Sequence, residues 1–99
     1  MQHIGVQIQD KDGKTTQESS INFAEVMWVL YDVPDYESKY PLLASIDPYA
    51  DTIFNALQGS QLVDELKQLG QKGNKAIISD SISLLEKVAQ FQYIEFHGD

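Results

Sequence analysis

The chain has 99 residues, the size of a single domain, and 42% of them are hydrophobic while 22% are charged. This composition is typical of a globular fold and excludes a disordered or fibrous chain. Fifteen acidic residues against seven lysines, with no arginine, give a net charge of −8 and make nucleic acid and anionic membranes unfavourable partners. The absence of cysteine excludes disulfides and thiolate chemistry and is compatible with a cytoplasmic location, which we expect.

The first predicted element is a β-hairpin. Apolar residues at positions 4, 6 and 8 alternate with polar or small ones, which predicts a strand with one buried face. Asp12 and Gly13 then suit the centre of a two-residue type I′ turn, because both can adopt a positive φ angle. The threonine-rich residues 15–20 should return as an edge strand with both faces partly exposed.

Residues 22–31 are predicted to form a helix. Asn22 precedes an apolar run and Glu25 follows three residues later, a spacing that resembles a capping box at a helix N-terminus. The same run is rich in β-branched and aromatic side chains, so a buried strand is the alternative that the sequence leaves open.

The second half of the chain contains two predicted helices and two predicted strands. Residues 52–54 form a candidate short strand, and a break at Gly59 separates it from the next element. Ser60 is expected to cap a helix that ends at Gly70 in the left-handed conformation. Residues 76–91 have one apolar and one polar helical face, and residues 94–96 alternate as a strand does.

Together these elements predict a single α+β domain over residues 1–99. A short antiparallel sheet, made of the N-terminal hairpin and the C-terminal strand, would pack against about three helices in two layers. We expect this arrangement because it buries every apolar stripe of the predicted elements.

Residues 31–51 are the most biased part of the chain. They contain all three prolines, four of the five tyrosines and five of the fifteen acidic residues. Prolines disfavour one regular element here, and tyrosines with carboxylates in an irregular segment are typical of a binding surface. Residues 41–46 should pack on the core, and a loop that is packed throughout is the alternative. The candidate partner-binding residues are Asp32, Asp35, Tyr36, Glu37, Tyr40, Asp47, Tyr49 and Asp51.

No catalytic signature is present in the sequence. The two histidines, His3 and His97, lie in predicted terminal strands and could meet near Glu95 and Asp99 as metal ligands. Their spacing matches no known ligand pattern, and chain ends tend to fray. We therefore expect surface histidines, no metal, no cofactor and no enzymatic activity.

A string near the middle of the chain resembles a group of short uncharacterised bacterial proteins. That group shares a D-P-Y-x-D-T-x-F-N-x-x-Q core and a terminal Gly-Asp, and the resemblance implies no catalytic residue. In size, acidity and lack of active-site residues the chain is also similar to bacterial immunity proteins, which neutralise toxins. The matching residues are Asp47, Pro48, Tyr49, Asp51, Thr52, Phe54, Asn55, Gln58, Gly98 and Asp99.

These features predict a non-enzymatic acidic binding protein. The best match is a bacterial immunity or inhibitor protein that occludes the active or nucleic-acid-binding surface of a basic toxin domain, without binding nucleic acid or membranes itself. The acidity alone has a simpler explanation, because net charge also keeps a protein soluble. The alternative function is a small adaptor or structural subunit, which would form a homodimer through the same tyrosines and carboxylates.

Overall fold

A computed structural model describes residues 3–71 and 75–98 of the chain. The N-terminal alternation forms β1 (Ile4–Gln9), which pairs antiparallel with β2 (Thr15–Glu18). All four residues of β2 are exposed, and β2 lies at an edge of the sheet, as predicted. The connecting turn differs from the prediction, because only Gly13 in this loop has a positive φ angle. Asp10 closes the loop instead: its side chain accepts hydrogen bonds from the backbone N–H groups of Asp12 and Lys14 at 2.9 Å.

The sheet has four antiparallel strands among the described residues, in the order β2-β1-β4-β3. The C-terminal strand β4 (Tyr93–Gly98) lies beside β1, which confirms the predicted pairing of hairpin and last strand. The candidate strand at residues 52–54 is also real, as β3 (Asp51–Asn55). It pairs with β4 and makes the sheet one strand larger than predicted.

The described part of the chain has three long helices, and two helices of four residues lie between the first of these and β3. The long helices confirm the predicted number, and the predicted helix at residues 22–31 forms over Ala24–Tyr31, with four of its eight residues buried. Asn22 precedes the N-cap residue Phe23, and its side-chain oxygen accepts hydrogen bonds from the N–H groups of Ile4 and Ala24. The helices are α1 (Ala24–Tyr31), α2 (Tyr36–Lys39), α3 (Pro41–Ala44), α4 (Ala56–Leu69) and α5 (Lys75–Leu85).

Helix α4 begins four residues before the predicted cap. Asn55 accepts a hydrogen bond from the backbone N–H of Gln58 at 2.8 Å, and the Gln58 side chain accepts one from the N–H of Asn55 at 3.0 Å. The helix that begins at this capping box continues through Gly59, where a Cβ atom would lie 3.1 Å from the Ile94 side chain. The glycine therefore permits close packing on β4 and does not end an element. Gly70 is right-handed, with φ −60°, so the predicted left-handed ending is wrong.

Helix α5 is shorter than predicted and ends at Leu85. The chain needs the following residues to reverse direction before β4, and a turn forms in which Gln92 donates its backbone N–H to the carbonyl of Ala89 at 3.1 Å. Phe91 adopts a positive φ of 68° in this connection, and its side chain is strongly exposed. The apolar residues at the end of the predicted helix therefore lie in a loop between α5 and β4.

The core lies between one face of the sheet and the helices. The apolar residues of β1 point into it and are buried, while Gly5, Gln7 and Gln9 alternate onto the other face. Phe96 of β4 packs against Phe23, with ring centroids 4.7 Å apart. The opposite face of the sheet carries polar and partly exposed side chains, and we call it the open face. Among the described residues, no helix has the length and apolar character needed to cross a bilayer.

Candidate functional site

The segment 31–51 forms two short helices joined by turns, so it is not one regular element, as its prolines predict. Helix α1 ends at Tyr31, and Asp35, the N-cap residue of α2, has a positive φ of 60°. Pro41 is the first residue of α3, where a missing N–H is tolerated because the first amides of a helix have no partner inside it. The turns place side chains of this segment on two sides, towards the core and towards solvent.

Four side chains of this segment, including that of Val33, belong to the core. Leu43 and Ile46 are buried, which confirms that residues 41–46 pack there. Tyr40 is only 2% exposed and belongs to the same core cluster, so it cannot contact a partner as predicted. Its burial reflects its place immediately before α3, where the chain turns inward.

A buried carboxylate on α4 anchors the segment. Glu65 accepts hydrogen bonds from the backbone N–H groups of Leu42 and Leu43 at 3.3 and 3.0 Å, and from the side-chain amide of Gln61 at 3.1 Å. Its negative charge therefore lies at the N-terminus of α3, where free amides and the helix dipole favour an anion. Glu65 is not among the residues predicted from the sequence, although an acidic residue between Leu62 and Leu66 on an apolar helix face is a detectable signal.

Two tyrosine side chains of this segment contact each other, a third lies near them, and Trp28 lies on the adjoining helix α1. Tyr31 and Tyr36 contact each other, with ring centroids 5.4 Å apart. Burial raises the pKa of Tyr31 above its ordinary value, and Tyr36, Tyr49 and Asp47 lie close enough to raise that pKa further. Trp28 precedes Tyr31 by one helical turn. Exposed fractions are 45% for Trp28, 41% for Tyr31 and 74% for Tyr49. We call these four residues, Trp28, Tyr31, Tyr36 and Tyr49, the aromatic surface.

Two of its members were missed in the sequence. Trp28 and Tyr31 are not among the partner-binding residues that the sequence predicts. These two residues are three positions apart, and because they lie in helix α1 their side chains share one face. Aromatic residues spaced in this way on a short helix are the signal that identifies them.

Three exposed carboxylates and one exposed lysine, Lys39, lie next to the tyrosines of α1 and α2 along the chain. Asp32, Asp35 and Glu37 are exposed and adjoin Tyr31 and Tyr36 along the chain. Asp47 has a conformational role as well, because its side-chain oxygen accepts a hydrogen bond from the N–H of Tyr49 at 2.9 Å. The aromatic surface therefore has a negative border.

Asp51 differs from the other predicted contact residues because it lies on a strand of the sheet. It opens β3 on the open face, directly opposite His97 in the register of β3 and β4. Its Oδ1 atom is 2.5 Å from Nδ1 of His97, and the same nitrogen is 3.9 Å from Oε1 of Glu95. The predicted partner-binding residues are thus divided among the aromatic surface and its border, the core, and the open face.

The string that resembles short bacterial proteins has a conformational role. Thr52 accepts a hydrogen bond from the N–H of Asp47 at 2.9 Å, and Phe54 is buried in the core. At Gly98 a Cβ atom would lie 2.5 Å from the carbonyl oxygen of Pro48, so only glycine permits this approach of β4 to the turn. These residues shape a turn, a strand and a helix start; Asp99 lies outside the described residues.

No protein-family model matches the chain, and no curated protein or solved structure is significantly similar to it. The resemblance to short bacterial proteins and to immunity proteins therefore stays a prediction. A functional interpretation depends on the geometry of the aromatic surface and of the open face.

Proposed function

We propose that this protein is a non-enzymatic acidic binding protein of the bacterial cytoplasm. It acts as an immunity or inhibitor protein and covers the active or nucleic-acid-binding surface of a basic toxin domain. The observation that carries the proposal is the aromatic surface with its border of carboxylates. Trp28, Tyr31 and Tyr49 are each at least two-fifths exposed, and such side chains dominate the binding energy of protein interfaces.

The aromatic surface is ordered before a partner arrives. Tyr31 and Tyr36 hold each other by ring contact, the Asp47 side chain fixes the turn that presents Tyr49, and Glu65 anchors α3. Tyrosine and tryptophan have few rotatable bonds, so little conformational entropy is lost when they are covered. Binding here would require no folding step.

The charge distribution supports a basic partner. Asp32, Asp35 and Glu37 add negative potential beside the aromatic surface, and the whole chain carries −8. Complementary charge accelerates encounter and excludes acidic competitors, while aromatic contacts supply most of the affinity. An acidic cover over a basic catalytic or nucleic-acid-binding surface would inhibit it by occlusion.

The direct test uses calorimetry with the untagged chain and the protein encoded by the neighbouring gene. We expect saturable binding, weakened about 100-fold or more by the double substitution Tyr31→Ala and Tyr49→Ala, since each is a candidate hot spot. Tyr93→Ala on the open face is the matched control and should bind as the wild type does. Absence of a complex in both calorimetry and co-purification would contradict the proposal.

A charge reversal tests the electrostatic part. Asp32→Lys with Glu37→Lys should slow association about tenfold or more at low salt and flatten its salt dependence. Asp35 and Asp47 are unsuitable, because Asp35 has a left-handed backbone and Asp47 holds the Tyr49 turn. Asp12→Lys with Asp80→Lys changes the net charge equally at exposed positions, in the hairpin loop and beside β2. If both pairs slow association equally, the aromatic surface is not the binding site.

The adaptor alternative is favoured by a different observation. Leu57 and Phe91 are strongly exposed and line, with Tyr93, a groove of about 480 Å³ next to the edge strand β3. A homodimer built here would use these side chains and not the tyrosines of residues 31–51. A monomer in light scattering at high protein concentration would count against this function.

A further inference from the structure

We propose that the open face binds one divalent transition-metal ion, with Zn²⁺ as the best match, through Asp51, Glu95 and His97, and with His3 as a fourth ligand. One imidazole nitrogen and two carboxylate oxygens of these residues lie within 4.8 Å of one another. The proposal revises the sequence-based expectation that the histidines bind no metal. It also replaces Asp99, considered from the sequence, by Asp51.

The sheet itself brings the three donors together. Glu95 and His97 are two residues apart on β4, so both side chains project from the same face. Asp51 on β3 is the direct cross-strand partner of His97, and directly opposed residues have Cβ atoms about 4.5–5.5 Å apart. Donors held by two paired strands are positioned more rigidly than donors on a loop.

The distances are close to those of a coordinated ion. Zinc bonds to nitrogen and oxygen are about 2.0–2.2 Å long, which places neighbouring donors of a tetrahedral site about 3.4 Å apart. The His97 nitrogen lies 2.5 Å from the Asp51 oxygen and 3.9 Å from the Glu95 oxygen. An ion would widen the first separation and shorten the second, and rotation of side chains that are 60% (His97) and 51% (Asp51) exposed allows both changes.

His3 is placed to supply a second imidazole. Gly5 lies directly opposite His97 on the other side of β4, and it has no side chain. The Cε1 atom of His3 is 3.9 Å from the position that a Gly5 Cβ would occupy, so the imidazole lies over this glycine. A rotamer change would turn it towards His97 across the gap. Two imidazoles and two carboxylates form a donor set suited to Zn²⁺.

A second layer of contacts orients Glu95. The side-chain amide of Gln9 donates a hydrogen bond to Oε2 of Glu95 at 3.1 Å, while Oε1 is the oxygen nearer to His97. Gln9 thus holds one carboxylate oxygen of Glu95, and the other oxygen is directed at the cluster. Outer-shell partners commonly orient metal ligands in this way. The Glu95 side chain is only 16% exposed, so it has little freedom to rotate away from the cluster.

Isothermal titration of the untagged chain with ZnCl₂ tests the site, with the visible absorption of bound Co²⁺ as a second readout of coordination. We expect one ion per chain, with affinity lowered about 100-fold by His97→Ala and by Asp51→Asn, and about tenfold by Gln9→Ala through the oriented carboxylate. Glu18→Gln is the matched control, because Glu18 lies opposite Gln7 on β2 and should not affect binding. Far-ultraviolet circular dichroism of each variant verifies folding.

Different results of this titration contradict the metal site as a whole and the role of His3. No saturable binding at millimolar Zn²⁺, or equal affinity in the wild type and in folded His97→Ala and Asp51→Asn, overturns the site. An unchanged affinity in His3→Ala overturns the fourth ligand. Because the aromatic surface is not part of this titration, failure of the metal site and failure of the proposed toxin binding are independent results.

Discussion

At the scale of single residues, the aromatic surface is defined by which side of its helix or turn each tyrosine occupies. Tyr31 lies at the exposed end of α1 and retains contact with Tyr36, whereas Tyr40, with the same side chain, starts the inward turn before α3 and is buried. A tyrosine can serve either purpose, because its ring is apolar and its hydroxyl is polar. The identity of the residue therefore predicts neither role.

The raised pKa of the Tyr31 hydroxyl predicts how the stability of the protein depends on alkaline pH. Burial, then the nearby Tyr36, Tyr49 and Asp47, raises its folded-state pKa above 10.0. The unfolded chain ionises first as pH rises, so stability from this group is complete below about pH 10 and is lost as pH rises towards the folded-state pKa. We expect urea unfolding of the wild type to lose more stability above pH 10 than Tyr31→Phe does.

Tyrosinate absorbance in the near ultraviolet checks the cause. Asp47→Asn keeps an oxygen for the Tyr49 turn but removes the negative charge, so it should lower the pKa of Tyr31. An identical titration in the wild type and in Tyr31→Phe would show that Tyr31 is not the shifted group.

At the scale of elements, α3 depends on a partner from a distant helix. A four-residue helix has too few internal hydrogen bonds to be stable alone. The Glu65 carboxylate on α4 accepts from two of its first N–H groups, and the core residue Leu43 packs beneath it. Glu65 is thus one of the contacts that order residues 31–51, and it acts at the start of α3.

Glu65→Ala should lower the free energy of unfolding by about 2–4 kcal/mol, because it leaves backbone donors without their charged acceptor. Glu65→Gln retains a carbonyl oxygen and should lose about half as much. Chemical denaturation measures both, and Asp64→Ala is the control, since Asp64 is the exposed neighbour on the same helix. An equal effect at positions 64 and 65 would contradict the anchoring role.

Elements were predictable where local signals agree with packing. The period-2 alternation of β1 and the helical faces of α4 and α5 are local properties of the sequence, and the structure confirms all three elements. Element ends were less predictable. Ser60 is a suitable N-cap residue by its chemistry. The capping box is instead formed by Asn55 and Gln58, because β3 ends at Asn55 and α4 begins at the next residue.

At the scale of the whole molecule, the charge is strongly unbalanced. The chain has fifteen acidic residues and seven lysines. Among the lysines whose side chains the structure describes, none has its ammonium within 4.0 Å of a described carboxylate. Acidic groups therefore repel one another with little local compensation, and this repulsion opposes compactness while attracting a basic partner.

Added salt should stabilise the isolated protein by screening this repulsion. From low salt to about 0.3 M NaCl we expect about 0.5–1 kcal/mol, which raises Tm by about 2–6 °C for a domain of this size. Reversing Asp32 and Glu37 to lysine changes the net charge from −8 to −4, two units per substitution, and should reduce the salt effect. Scanning calorimetry compares the two proteins. A salt effect that is absent, or equal in both, would exclude self-repulsion as its cause.

The sequence by itself determined the class of the fold, the core strands and long helices, the acidity and the segment in which two of the three exposed tyrosines lie. These properties depend on composition and on periodicities of two and 3.6 residues, which neighbouring residues establish locally. Only the tertiary structure decided that Tyr40 is buried, that Glu65 holds α3 and that Asp51 faces His97. Each of these depends on the register and packing of elements far apart in the chain, and periodicity within one element contains no information about its distance from another.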